Sequence, residues 1–341
     1  MEKYIKKFPS GSFVKTWLIK KNNCYFVRKE APKVNKFIKN RDLLYGQYVW
    51  IKNMQKKNIS VPEIEDFIDK KNKFYYDMEY LNRSISLHSA YKRKKIGLKS
   101  FFLELKKFYR INTELSKKNV KLFSQICKVK AIPSILSLKE KPIGKFILKK
   151  KYIYINDIKC LNLISQLNLL TKKNNKFSKI ISDNFDSKKK TFVHGDLTFE
   201  NILLKDKKLY LIDPYGGNVD IKANNNSLYK SNLMFDLGKI CQSLVANYEN
   251  WKNISSIKKF YINEKFLLSK QFMPLLTKDF YLLKDIFGKK EKNFTNICLM
   301  HMIIHLCRLI RYRVKHNYSS ALLAYVIATY CANVLINDNQ H

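Results

Sequence analysis

Acidic residues are scarce in this chain. Its 341 residues hold 27 Asp and Glu against 66 Lys and Arg, a formal net charge of +39. A bias toward Lys, Asn and Ile explains many lysines but not so few acids. The balance therefore predicts attraction to anions: nucleic acid, an anionic membrane face or a phosphorylated substrate. Glycine and proline are also few, nine and seven, so no flexible linker stands out. The seven cysteines include no CxxC pair, and their number is odd. That argues against a zinc framework and a disulfide scaffold and predicts buried thiols in a reducing cytosol. The N-terminal "MEKYIKKFPSGS" lacks the apolar core of a signal peptide. No run reads as the roughly 18 apolar residues of a spanning helix. "CLMHMIIHLCRLIRYR" comes nearest and is broken by His and Arg. A soluble cytoplasmic protein is expected. No RRM, KH or zinc-finger signature and no internal repeat is visible.

Hydrophobic residues make up 46% of the chain and aromatics 13%, enough for a real core. The length suggests two domains or lobes. "SFVKTWLIK" (12–20) and "CYFVRKE" (24–30) read as strands joined by the turn "KNN". A helix is expected from Phe37 to about Asn58, ended by Pro62. "EIEDFID" and "KFYYDMEYL" read as a second strand pair. After Asn82 the pattern becomes helical, over "LKSFFLELKKFYRINTELS", roughly 120–138 and 157–172, and again from Met234 onward. Strands return only around 191–213. The expected fold class is α+β in two lobes. Residues 1–82 are expected to form a small antiparallel sheet with one helix, and residues 83–341 a larger, mainly helical lobe that carries the stretch 191–217 and the acceptor site.

The chemistry concentrates in "TFVHGDLTFENILLKDKKLYLIDPYGG", residues 191–217. Asp196 and Asn201 lie five apart in one loop, and Asp213 ends the last strand. An Asp, an Asn and an Asp gathered at strand ends make a hard, all-oxygen site suited to magnesium with phosphate oxygens. One Asp is left to accept a proton from an attacking hydroxyl. Those are the parts of phosphoryl transfer. Each Asp alone reads more simply as a cap or turn former; the three together at this spacing favour the site.

His194-Gly195-Asp196-Leu197 with Asn201 resembles the HGDxxxxN signature of the aminoglycoside phosphotransferase and choline kinase-like family, whose fold is protein-kinase-like. "LIDPYGG" resembles the family's metal-binding Asp element, and "MFDLGKI" the helix that follows it. The resemblance implies a catalytic Asp196, with Asn201 and Asp213 on magnesium and His194 and Gly195 shaping the loop. Asp236 is implied as a buttress of that loop. It also implies a phosphate-covering turn at Gly11 and Ser12, a phosphate-binding Lys29 and an adenine-reading backbone from Glu79 to Leu81. Lys29 and Arg28 alternate on a strand, so only one can face the cleft, and Lys29 fits the resemblance better. The family's usual helix Glu, partner of that lysine, is replaced here by Gln47.

An ATP- or GTP-dependent kinase acting on a small-molecule hydroxyl is therefore expected. A sugar or aminoalcohol is the expected acceptor, by resemblance to phosphotransferase-like proteins of capsule and surface-polysaccharide gene clusters. The surplus of lysines favours an anionic acceptor or peripheral contact with an anionic membrane over a cationic drug. Two rivals stand beside this: a kinase-like scaffold, motivated by Gln47, and a nucleic-acid-binding protein, motivated by the charge. His301 and His305 share a helix face, but no third ligand of suitable spacing accompanies them, so they read as ordinary helix-face histidines.

Overall fold

Paired left-handed residues set the hairpins of this chain. Asn22–Asn23, Asn156–Asp157, Asp206–Lys207 and Asn263–Glu264 all have φ between 46° and 66°. Two consecutive positive φ values define the type I′ turn, whose twist matches that of the flanking strands and which Asn and Asp adopt most readily. The structure, a computed structural model, describes residues 2–8, 14–31, 37–70, 73–115, 126–172, 179, 189–215, 219–220, 227–228, 230–289 and 293–338. Its contacts divide the chain into two compact units. One holds Met1–Gly97 with Phe192–Ser231, the other Leu98–Thr191 with Asn232–His341.

The first unit is built on a five-stranded antiparallel sheet: β1 (Glu2–Phe8), β2 (Lys15–Lys21), β3 (Cys24–Glu30), β4 (Ile64–Lys70) and β5 (Lys73–Glu79). Their order is β1-β2-β3-β5-β4. The sequence predicts four of these strands. β1 escapes because "EKYIKKF" is exposed along almost its whole length and shows no alternation of apolar and polar residues. The helix α1 (Phe37–Lys56) falls as expected. It lays Tyr45 and Tyr48 against Phe67, Phe74 and Tyr76 of β4 and β5, with Tyr48 stacked on Phe67 at 4.2 Å. Trp50 and Met54 continue the buried face of α1. A further hairpin, Ile202–Lys205 with Lys208–Leu211, belongs to this unit. The Leu211 amide donates to the Ser60 carbonyl at 2.9 Å, which ties the hairpin to the chain after α1.

The second unit is mainly helical. Its helices include Leu98–Asn112, Met234–Leu244, Phe294–Val314 and Tyr318–Asp338. Gly238 lets two of them approach closely: a Cβ there would lie 2.5 Å from the Cβ of His301. Strands also occur here, contrary to expectation. Tyr152–Ile155 and Ile158–Leu161 pair as a hairpin and join Tyr261–Ile262 and Lys265–Phe266 in a four-stranded sheet. The expected helix over 157–172 accordingly begins only at Leu163, capped by the Asn162 side chain. The helix expected from 98 to 116 ends at Asn112 and passes into the strand Thr113–Leu115. Tyr318–Asn337 is long and apolar enough to cross a membrane, with a mean hydropathy of 1.7, so it exceeds the run the sequence reading singled out; 78% of it is buried inside the protein.

Candidate active site

The loop after Phe192 is held from two sides. The indole N–H of Trp50 donates to the Val193 carbonyl at 3.1 Å, and its ring meets the fully buried His194 edge-on at 5.2 Å. His194 bridges the loop and the hairpin. Its Nε2 lies 2.8 Å from the Ile212 carbonyl, and the Asp196 amide lies 3.3 Å from its Nδ1. A carbonyl only accepts and an amide only donates. Both contacts are met by one form of the ring, neutral and protonated on Nε2. The Tyr215 amide donates back to the His194 carbonyl at 2.8 Å. Gly195 has φ +82°, a left-handed conformation that suits glycine and turns the chain sharply before Asp196.

Asp196 and Asn201 come together as their spacing predicts. The Asn201 amide group donates to the Asp196 carbonyl at 2.7 Å and to its carboxylate Oδ2 at 3.1 Å. The intervening turn is closed by Thr198 N–H to the Asp196 carbonyl and Asn201 N–H to the Thr198 carbonyl. The Ile212 amide donates to the Asn201 carbonyl at 3.0 Å. Asn201 therefore stands at the mouth of the hairpin, beside the residue that precedes Asp213. Asp213 has φ +56°, which Asp tolerates better than most side chains. Its Oδ1 meets the Lys29 ammonium in an ion pair, with the lysine nearly buried and the carboxylate 40% exposed.

Lys29 and Arg28 separate as strand alternation requires. Arg28 takes the opposite face, where its guanidinium makes a bidentate bond to the fully buried Asp77 at 2.7 and 2.8 Å. Glu2, Lys21 and Asp66 complete that network. The sequence reading missed it, although a lone acid inside the apolar run "KFYYDME" was its signal. Gln47 is buried, but its carbonyl oxygen accepts from the Tyr76 hydroxyl at 3.4 Å. The partner of Lys29 is thus Asp213 and not Gln47. Burial, with Asp213 adding to it, holds the Tyr76 phenol well above its ordinary pKa, so it stays a neutral donor.

The remaining candidates are placed as follows. Glu79 ends β5, and its amide donates to the Glu63 carbonyl at 2.8 Å. The Leu81 amide has no partner among the described residues, which leaves a donor for an acceptor atom of a ligand. Gly11 and Ser12 lie outside the described residues, between β1 and β2. Asp236, in the second unit, is fully buried and accepts from the Tyr109 hydroxyl at 2.6 Å. Burial lowers the pKa of His301 to about 3, and burial with nearby Lys239 and Arg308 holds His305 well below its ordinary value. Both are neutral core residues, and His305 bonds the Phe235 carbonyl at 2.9 Å.

Among the described residues no three His, Cys, Asp or Glu side chains gather as a metal site. The hairpin mouth offers a different donor set. The Asn201 nitrogen is engaged with Asp196, so its Oδ1 is left as an acceptor, and Asp213 keeps Oδ2 beyond the lysine. Two hard protein oxygens fit magnesium, which usually keeps water and phosphate for its other positions.

No family model matches this chain, and no curated protein matches it. Solved structures do. Choline kinase from Cryptosporidium parvum Iowa II is similar over 99% of this chain and 90% of its own, at 14% identity and a TM-score of 0.58. A thermostable mutant of aminoglycoside phosphotransferase APH(4)-Ia matches 98% of this chain and 95% of its own, at 8% identity and a TM-score of 0.57. A Haemophilus somnus 129PT structure described as a fructosamine-3-kinase matches 100% of this chain and 92% of its own, at 14% identity and a TM-score of 0.56.

Proposed function

We propose that this chain, which has the protein-kinase-like fold of those proteins, is a nucleotide-dependent kinase of a small-molecule hydroxyl. The carrying observation is the gathering of Asp196, Asn201, Asp213 and Lys29 within one compact unit. Asp196 accepts the acceptor's hydroxyl proton while the Asn201 amide fixes its carboxylate. A bond forms between that oxygen and the γ-phosphorus, the bridging P–O bond breaks, and a nucleoside diphosphate leaves. Asn201 Oδ1 and Asp213 hold magnesium, which supplies charge neutralisation on the phosphates. Lys29 exchanges its contact with Asp213 for the donor phosphates. The Leu81 amide reads the base.

ATP as donor is supported by the AMP-PNP and ADP in structures of aminoglycoside phosphotransferase APH(4)-Ia variants; GTP is the alternative donor. In this reading residues 1–82 are the nucleotide lobe and the rest of the chain completes the enzyme. A sugar or aminoalcohol in surface-polysaccharide metabolism is the proposed acceptor. The net charge of +39 supports an anionic acceptor, or a place of work beside an anionic surface. The expectation of buried thiols holds for six of the seven cysteines, while Cys24 is exposed.

Nucleoside-diphosphate release, measured over a panel of sugar and aminoalcohol acceptors, tests the reading. Wild type should respond to at least one acceptor, and Asp196→Ala should lose about 10²–10⁴-fold of that rate. Equal rates in the two proteins would reject Asp196 as the base.

A further inference from the structure

The four-stranded sheet of the second unit has one buried face and one open face. Ile153, Ile155, Cys160 and Phe266 point inward and are at most 3% exposed, while Ile158, at the end of that face opposite Ile155, is 42% exposed. Strand alternation turns Tyr152, Tyr154, Lys159, Ile262 and Lys265 to the other side. There Tyr152 is 38%, Tyr154 41% and Ile262 49% exposed. The helix Pro142–Lys149 leads directly into this sheet and presents Lys145, Phe146 and Lys149 to solvent.

Lysines surround these rings. The Lys150 ammonium lies 4.2 Å from the Phe146 ring centre, and those of Lys159 and Lys151 lie 4.5 and 5.5 Å from that of Tyr152. Residues 139–161 carry seven lysines against Glu140 and Asp157. Two acids at the edge of this face are already taken, Asp157 by Lys265 at 2.8 Å and Glu264 by Lys150 at 2.5 Å. Lys145, Lys149, Lys151 and Lys159 have no ion pair among the described residues.

We propose that the open face of this sheet, with the adjoining helix, is a peripheral docking surface for an anionic lipid bilayer. It locates the anionic surface suggested by the net charge and does not depend on phosphoryl transfer. Tyrosine rings sit well at the headgroup level, isoleucine enters the acyl boundary, and lysines keep their ammonium groups among the phosphates. Nucleic acid fits this face less well. Residues 139–161 contain no arginine, the side chain suited to bidentate phosphate and base contacts. The Tyr152 ring is attended by two ammonium groups, and Ile262 offers a base nothing to stack on.

Co-sedimentation tests this, using vesicles of phosphatidylglycerol with phosphatidylcholine against vesicles of phosphatidylcholine alone. The full-length wild type should pellet with the anionic vesicles only, and less as salt rises. Each lysine near an anionic surface strengthens binding by about fivefold, so Lys149→Glu with Lys159→Glu should weaken it roughly 25-fold or more. Tyr152→Ala with Tyr154→Ala should also weaken it. All four positions are exposed or nearly so, and unchanged melting of the variants should show that they fold. Asp196→Asn should bind vesicles as the wild type does, which separates failure of this proposal from failure of the kinase reading. Wild-type protein that ignores anionic vesicles, or either double variant binding like the wild type, would overturn the proposal. So would single-stranded RNA binding lost in the same variants without any vesicle binding.

Discussion

His194→Leu isolates the contact on which the loop from Val193 to Asn201 rests. Leucine roughly keeps the ring's volume in a position with no solvent exposure, but it removes both polar nitrogens. The Ile212 carbonyl then loses its 2.8 Å donor. An unpaired partly buried carbonyl costs about 1–3 kcal/mol. The edge-on contact with Trp50 at 5.2 Å also goes, removing about 0.5–1.5 kcal/mol. The Asp196 amide contact, at 3.3 Å, is too long to add much. The expected destabilisation is therefore about 2–4 kcal/mol. One kcal/mol moves Tm by about 2–4 °C in domains of 150–250 residues. At the lower end of that range the loss is about 4–8 °C, read by differential scanning fluorimetry. Activity should fall further than stability explains, because Asp196 is displaced, by about 10²-fold. His194→Gln can still donate to the Ile212 carbonyl and should recover part of the Tm. A leucine variant that melts with the wild type would refute the bridging role.

Gly238→Ala should destabilise the second unit by about 1–3 kcal/mol, because its Cβ would meet the His301 Cβ at 2.5 Å and the carbonyl carbon at 3.0 Å; thermal melting checks it. Asp77→Asn leaves Arg28 and Lys21 without their buried carboxylate and should cost about 3–5 kcal/mol, measured by urea unfolding. Burial pushes the His301 pKa down to about 3, against about 6.5 for a histidine in the unfolded chain. Between those values the unfolded chain binds the extra proton, so stability falls as pH drops below about 6.5. The slope is on the order of 1 kcal/mol per pH unit for each histidine. His301→Phe should flatten that slope in melts from pH 7 to pH 4, and an unchanged slope would count against the buried neutral ring.

Much of the candidate site was legible because its residues are close in sequence. Asp196, Asn201 and Asp213 sit within eighteen residues, and one hairpin brings the latter two together. The faces of Lys29 and Arg28 followed from strand alternation. What escaped was long-range. Nothing near residue 50 in the sequence announces that Trp50 bonds the loop at Val193. The second strand of the hairpin Tyr152–Leu161 fell inside the helix expected over 157–172 and the first was given no element, although "YIYINDIKCL" alternates around an Asn-Asp turn. Its outward tyrosines gave that alternation an apolar look on both faces. Gln47 shows the limit of spacing alone. It stands where a charged partner of Lys29 was sought, but the ammonium reaches 184 residues along the chain to Asp213.

Magnesium-nucleotide binding tests the central claim most directly. Wild type and Asp213→Ala would be titrated with magnesium-ATP and magnesium-GTP in a thermal-shift assay, each against its own ligand-free melt because the variant also loses the Lys29 pair. A ligand at about 100 times its Kd stabilises the folded state by about 2.7 kcal/mol. The account predicts a magnesium-dependent rise with at least one nucleotide in the wild type and none in Asp213→Ala. No rise in the wild type, or the same rise in both proteins, would contradict it.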